Sequence, residues 1–254
     1  MKKFFKSTMV RIVLVLLIIL VIGFVWFLSQ LPKVGPTHVQ LTENAVGVVS
    51  GNSYVWIIRT PHGAILVDTG MDPQAATVID ELKAHALDQE DVHTILLTHG
   101  HLDHWIGTAA FPETRVMVGP GDAALVRRER MPKGTLTRLF GGFYSNINPP
   151  VNLKELKGDE ILTIDGESFQ VISLPGHTPG SVAYLWRDIL FSGDSLMGRS
   201  EGVFISPSFF SDDTALNRKA IIKLLPLSFS RVADGHTGVV KNAHRKLETY
   251  LAKQ

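Results

Sequence analysis

The stretch His99-Gly100-His101-Leu102-Asp103-His104 places three imidazoles and a carboxylate within six residues. Imidazole nitrogen and carboxylate oxygen together suit zinc or iron, and the chain has no cysteine to offer a competing thiolate. Gly100 puts no side chain between His99 and His101, so both rings can turn toward one point. A histidine-rich solvated loop is the plain alternative. The cluster, however, directly follows the apolar run Ile95-Leu96-Leu97, and sites are built in loops at strand ends. Three more candidates sit in the same kind of place. His177 lies in Leu174-Pro175-Gly176-His177-Thr178-Pro179-Gly180, a turn specified by proline and glycine. Asp194 lies in Ser192-Gly193-Asp194-Ser195, and His236 in Ala233-Asp234-Gly235-His236-Thr237-Gly238. Alone, Asp194 reads equally well as a turn former. Together, four strand-terminal loops each offer a ligand. His38, His62, His85, His93 and His244 lack clustered partners and read as surface histidines.

The elements that must position these loops follow an α/β pattern. Short β-branched or aromatic runs at 46–50, 54–60 and 64–67, separated by Gly51-Asn52 and Pro61-His62-Gly63, predict a strand meander with tight turns. The spacing of Ala76, Ile79, Leu82, Ala86 and Leu87 predicts a helix over 73–87 with Asp72 as N-cap. Strands are expected at 93–98 and 115–118, and a helix at 121–130. Residues 131–151 have little periodicity and are rich in Gly, Pro and Asn, which predicts a long surface loop of the kind used as a lid or insert. Strands follow at 161–164, 168–174, 181–186 and 188–191, with a turn near Arg187-Asp188. A helix from Asp212 or Asp213 to Leu224, a strand at 230–233 and a helix near 242–252 complete the pattern.

The order H-x-H-x-D-H, then PGHT, then SGD, then GH resembles the metallo-β-lactamase superfamily over residues 40–254, and Val67-Asp68-Thr69-Gly70 is similar to that family's leading motif. The resemblance implies an α/β fold, an αββα four-layer sandwich with the metal site at one edge of its two sheets. It implies His99, His101 and His177 on one metal, Asp103, His104 and His236 on a second, and Asp194 bridging. Asp68 resembles the acid that orients the ligands. The chain departs from the pattern at Trp105-Ile106-Gly107, where many members carry Gly-Gly. Trp105 reads first as a packing residue. An aspartate where the commonest true β-lactamases carry a cysteine is more similar to the glyoxalase-II, lactonase and phosphodiesterase branches. Against glyoxalase II itself, only 60 residues follow Asp194, too few for that enzyme's helical extension as well as the last strand and ligand.

The expected chemistry is that of a dinuclear zinc hydrolase, with iron or manganese as other metals compatible with the donors. Two cations sharing a carboxylate and a water make hydroxide available near neutral pH, for attack on an ester, thioester or lactone carbonyl of a small-molecule substrate. Asp103 is the expected catalytic residue, holding its metal and orienting the nucleophile or passing a proton. A phosphodiesterase or nuclease is the alternative of the same fold, and a non-catalytic envelope binding module is a third reading. Phe140, Phe143, Tyr144, Phe204, Phe209 and Phe210 are candidate pocket walls, each equally readable as packing.

A formal charge of +1 over 254 residues hides a segregation. Residues 1–33 carry Lys2, Lys3, Lys6, Arg11 and Lys33 and no acid, which leaves 20 basic and 24 acidic residues for the rest. That negative remainder disfavours nucleic acid as a partner. Its one basic cluster, Arg127-Arg128-Glu129-Arg130 with Lys133 and Arg138, is interrupted by Glu129 and reads as a solvated helix face. Residues 12–32 are uncharged and mostly apolar, long enough for a transmembrane helix over 12–31, with Trp26 and Phe27 at its far end. Residues 1–11 form a short basic cytoplasmic segment, 32–39 a linker stiffened by Pro32 and Pro36, and 40–254 the catalytic domain. The basic flank places the N-terminus in the cytoplasm and the catalytic domain beyond the membrane, as a single-pass signal anchor. Secretion after cleavage is disfavoured, because no A-x-A-like site follows the apolar run. The absence of cysteine fits an oxidising compartment.

Overall fold

Alternation along one strand shows how the layers arise. In β3 (Ser53–Thr60), Tyr54, Trp56 and Ile58 point to one face and Val55 and Ile57 to the other, and all five are buried. A strand buried on both faces lies in the middle of a layered structure. The first face joins Phe169, Tyr184, Trp186 and Phe191 in a core between two sheets, while the second joins Val78, Leu82 and Trp105 in a core under helices.

The computed structural model describes residues 2–30, 33–140, 146–199 and 202–253, and divides into two compact units, 1–33 and 34–254. The first unit holds α1 (Lys2–Gln30). From Ile12 to Val25 its large apolar side chains are exposed. Among the described residues no helix is long and apolar enough to cross a membrane. The side chains of 26–30, and Leu31 and Pro32 altogether, lie outside the described residues, so the far end of the expected 12–31 span does too.

In the second unit, β1 (His38–Thr42), β2 (Ala45–Ser50), β3 and β4 (Gly63–Val67) form an antiparallel meander. It continues in parallel through β5 (Val92–Leu96), β6 (Arg115–Val118) and β7 (Leu153–Glu155) to make a seven-stranded sheet. The second sheet has the order β15-β14-β11-β10-β9-β8, from β8 (Ile161–Ile164), β9 (Glu167–Ser173), β10 (Val182–Trp186), β11 (Ile189–Gly193), β14 (Arg231–Asp234) and β15 (Val239–Lys241). A small hairpin pairs β12 (Met197–Arg199) with β13 (Gly202–Phe204). Helices α2 (Ala76–Ala84), α3 (Leu102–Trp105) and α4 (Ala123–Val126) contribute to the core on the first sheet's outer face. Ala220 of α6 (Thr214–Ala220) and Leu247 of α7 (Ala243–Leu251) lie in the core on the second sheet's outer face, with Ile172, Leu190 and Val232. The sandwich is therefore α/β/β/α.

Several expectations are corrected. The helix expected at 73–87 begins only at Ala76, because Ala75 is left-handed; the Asp72 carboxylate still accepts from the N–H groups of Gln74 and Ala76. The helix expected at 121–130 shortens to α4, followed by turns in which Arg128 takes φ 61°. The loop expected at 131–151 contains α5 (Thr135–Phe140). Residues 34–37 are no free linker. The Gly35 N–H donates to the His236 carbonyl (3.2 Å), and the Tyr54 hydroxyl donates to the Pro36 carbonyl.

Gly47 of β2 faces Trp56 of β3 across the ladder, and a Cβ at this position would stand 2.2 Å from Cζ3 and 2.4 Å from Cε3 of the indole. Gly47→Ala is expected to displace Trp56 and destabilise the unit by about 1–3 kcal/mol, read as a lower urea midpoint at unchanged m-value.

Candidate metal centre

Parallel pairing brings the candidate loops to one edge. In the first sheet β4 and β5 are paired through Val67 and Leu96, so Asp68 and the His99–His104 loop emerge side by side. In the second sheet β11 and β14 are paired through Phe191 and Ala233, which aligns Asp194 with the turn carrying His236. His177 sits in the turn between β9 and β10.

His99 Nε2, His101 Nδ1 and His177 Nε2 converge with separations of 3.1, 3.1 and 2.9 Å. These spacings suit donors sharing one ion at about 2.0–2.1 Å. The far nitrogen of two of these rings already has a partner: His99 Nδ1 meets Thr98 Oγ1 (3.1 Å), and His177 Nδ1 meets Ser211 Oγ (3.1 Å). Thr98 Oγ1 itself donates to Asp68 Oδ2, so it accepts from His99 Nδ1–H, and His99 presents a lone pair from Nε2. Burial, reinforced by neighbouring imidazoles, holds His99 and His177 well below the usual histidine range, and burial pulls His101 down to about 4. Neutral rings aim lone pairs at one point, an arrangement that a cation resolves.

The second group is Asp103, His104 and His236. His236 Nε2 lies 3.6 Å from Asp103 Oδ2, and His104 Nε2 lies 3.9 Å from the same oxygen. Asp194 reaches both groups, with Oδ2 3.1 Å from His236 Nε2 and 3.6 Å from His177 Nε2, and Oδ1 3.6 Å from His104 Nε2. Burial lowers the affinity of His104 and His236 for a proton, but the carboxylates outweigh it. Asp68, Asp103 and Asp194 raise His104 to about 9, and Asp194 and Asp103 raise His236 to about 10. Burial raises Asp194, yet His236 and His104 hold it well below the usual carboxylate range. A proton on either ring occupies the lone pair a metal needs, so metal binding here releases protons.

The residues fit a metal pair on an independent observation. His101 Nε2, His104 Nε2 and Asp194 Oδ1 are buried without a hydrogen-bond partner, and two of these atoms face the convergence points. Buried polar atoms of this kind are costly unless satisfied.

All seven candidate ligands thus meet at one edge, with Asp68 behind them. Asp68 accepts from Thr98 N–H (2.8 Å) and from His104 Nδ1–H (2.8 Å), which turns His104 Nε2 toward Asp194. Three supporting residues escaped the sequence reading. The Asn52 carbonyl accepts from His236 Nδ1–H (2.8 Å), and its amide reaches Asp103 Oδ2 (3.4 Å). Buried Asp234 accepts from the N–H groups of His236, Thr237 and Gly198. Buried Asp122 accepts from Gly100, Thr178 and Gly180. The only available signal was that each lies in or beside a strand-end turn.

Other expectations resolve differently. Trp105 is fully buried in the core under the helices, with the Arg128 guanidinium 5.4 Å from its ring centre. Arg130 pairs with Asp212 (3.5 Å) and Arg128 lies over Trp105, while Arg127, Lys133 and Arg138 of the basic cluster are exposed. His38 and His85 meet Glu81, His93 meets Asp165 and His244 meets Glu248. Phe209 and Phe210 pack on each other, the Arg199 guanidinium lies 5.2 Å from the ring centre of Phe204, and Phe209 accepts the Leu136 N–H. Phe143 and Tyr144, and the side chain of Phe140, lie outside the described residues.

A layered α/β sandwich with clustered histidine and aspartate donors at one sheet edge defines a candidate metal-binding protein. Residues 48–236 match the model of the metallo-beta-lactamase superfamily, and the chain belongs to that superfamily. It is 32% identical over 194 residues to a hydroxyacylglutathione hydrolase of Halorhodospira halophila, covering 75% of this chain and 64% of that one. It is 26% identical over 227 residues to the beta-lactamase-like protein 2 homolog of Drosophila melanogaster, covering 85% and 72%. The chain spans 64% of the first relative and 50% of a hydroxyacylglutathione hydrolase of Albidiferax ferrireducens. Among solved structures, metallo-beta-lactamase SMB-1 shares the fold with a TM-score of 0.65 at 20% identity, covering 87% of this chain and 98% of that one. Family membership and these relatives support a metal-dependent hydrolase.

Proposed function

We propose that the chain is a membrane-anchored hydrolase that uses two zinc ions to cleave a thioester, ester or lactone carbonyl. The observation that carries this reading is the position of Asp194, whose two oxygens lie 3.1–3.6 Å from ring nitrogens of both ligand groups. His99, His101 and His177 would hold one ion, Asp103, His104 and His236 the other, with Asp194 shared. A metal pair held by these residues would supply polarisation of the substrate's carbonyl oxygen and a water acidic enough to ionise near neutral pH. Asp103 is the more exposed of the two acidic ligands, and its carboxylate would orient the nucleophile or pass its proton toward the leaving group. The Asn52 amide, 3.4 Å from Asp103 Oδ2, fixes which way it faces.

The hydroxyacylglutathione hydrolase relatives make thioesters the first substrate class to test. Two of the basic cluster's residues, Arg130 and Arg128, are turned to Asp212 and Trp105, and those relatives lend the phosphodiesterase alternative no added support. The test is a panel of lactone, thioester, β-lactam and bis(p-nitrophenyl) phosphate substrates on the zinc-loaded protein. Turnover concentrated on thioester or lactone is expected; turnover confined to the phosphodiester contradicts the reading.

The anchor reading rests on the apolar sequence of residues 12–32 and on the exposed apolar side chains of α1. In that reading the basic N-terminus stays in the cytoplasm and the catalytic unit lies beyond the membrane. The chain is expected to stay with membranes through alkaline carbonate washing, and a chain lacking residues 1–33 to be released. Release of the full-length protein overturns the anchor.

A further inference from the structure

Asp122 immediately precedes α4, the place of a helix cap, yet its carboxylate accepts no N–H from that helix. It turns instead toward the two ligand-bearing turns. Oδ2 accepts from Gly100 N–H (2.7 Å) and from the Thr178 hydroxyl (2.5 Å), and Oδ1 accepts from Gly180 N–H (2.8 Å). Gly100 stands between His99 and His101, and Thr178 directly follows His177. One fully buried carboxylate therefore joins the backbones that carry all three imidazoles of the first group. Among the described residues, Asp103, His104, Asp194 and His236 make no hydrogen bond to it.

The packing is as specific as the bonding. A Cβ on Gly180 would stand 2.7–2.8 Å from Asp122 N, Cβ and Cγ, and one on Gly100 would stand 2.8 Å from Leu125 Cβ and 3.1 Å from the Asp122 carbonyl oxygen. Both turns approach closely because each presents glycine. Burying a carboxylate is costly unless its oxygens are hydrogen-bonded, and three donors from two separate turns supply those bonds.

We infer that Asp122 is a positioning residue that sets the separation of the His99–His101 and His177 turns and thereby the metal affinity of the three-imidazole group. The inference rests on the metal reading of the site. Its mark is selectivity. A residue that merely supports the fold alters both ligand groups, whereas this clamp touches one.

The test measures zinc affinity by chelator competition on the full chain in two backgrounds. His236→Ala isolates the three-imidazole group, and His101→Ala isolates the group of Asp103, His104 and His236. Asp122→Asn keeps the shape but offers one acceptor oxygen where three donors converge. It is expected to weaken zinc about 10- to 100-fold in the His236→Ala background and less than about 3-fold in the other. Equal loss in both backgrounds, or no loss in the first, overturns the inference. Should Asp122→Asn fail to fold, Thr178→Val removes one donor only and is expected to weaken zinc by about 3- to 10-fold in the His236→Ala background, with Thr178→Ser restoring it. Unchanged affinity in Thr178→Val overturns the clamp equally. Absence of zinc binding by the unmodified chain contradicts the metal reading itself, and with it this inference; normal zinc binding there with an indifferent Asp122→Asn contradicts the clamp alone.

Discussion

Replacing Asp194 by alanine is expected to remove both activity and stability. Among the described residues its carboxylate alone lies within 3.6 Å of His177, His104 and His236 alike, so Asp194→Ala removes the proposed shared ligand of both groups. Hydrolysis should fall by on the order of 10³-fold or more, to the level of chelator-treated protein. The metal-free protein should suffer as well. His104 and His236 are buried and held protonated by carboxylates, chiefly Asp68 and Asp103 beside Asp194 for the first and Asp194 for the second. Removing one partner of a buried ion pair typically costs about 3–5 kcal/mol. Urea unfolding of metal-free Asp194→Ala at neutral pH reads that loss. Wild-type stability in the metal-free variant would mean that Asp194 does not compensate those rings.

His101→Ala makes the opposite pairing of effects. Activity is again expected to drop by on the order of 10³-fold, because Nδ1 is one of three nitrogens converging at 2.9–3.1 Å. The metal-free fold should be nearly indifferent. His101 is neutral, pulled down to about 4 by burial, and its Nε2 is buried without a partner. Deleting a side chain that already leaves a polar atom unsatisfied gives back part of what the cavity costs. The metal-free urea midpoint should therefore move far less than that of Asp194→Ala, and stabilisation by added zinc should shrink. Retained turnover in metal-stripped His101→Ala contradicts a metal-dependent reaction.

The candidate ligands were legible in the sequence because histidine is sparse and theirs cluster after apolar runs. Asp122, Asp234 and Asn52 were not, for a physical reason. Locally each looks like a turn former, and what distinguishes them is a partner 58, 36 and 184 residues away. The same separation of local from distant information runs through the fold. The strands at 54–60 and 64–67 declare themselves through β-branched residues between glycine turns, and the structure has them as β3 and β4. The three-residue strands β7, β12, β13 and β15 carry too little alternation to read, since their pairing partners define them. The overlong helix expected at 121–130 shows the converse. Arg127-Arg128-Glu129-Arg130 holds no glycine or proline to stop a helix, but the left-handed Arg128 ends the helical run where the turns leave toward Asp212.

The central claim is that hydrolysis depends on metal held by these seven residues. It is tested most directly by titrating zinc into chelator-stripped protein while following thioester hydrolysis and bound zinc per chain together. The account predicts no turnover in stripped protein, and a rate that rises with occupancy and levels off at two zinc ions per chain. Full activity in protein shown to be metal-free contradicts it.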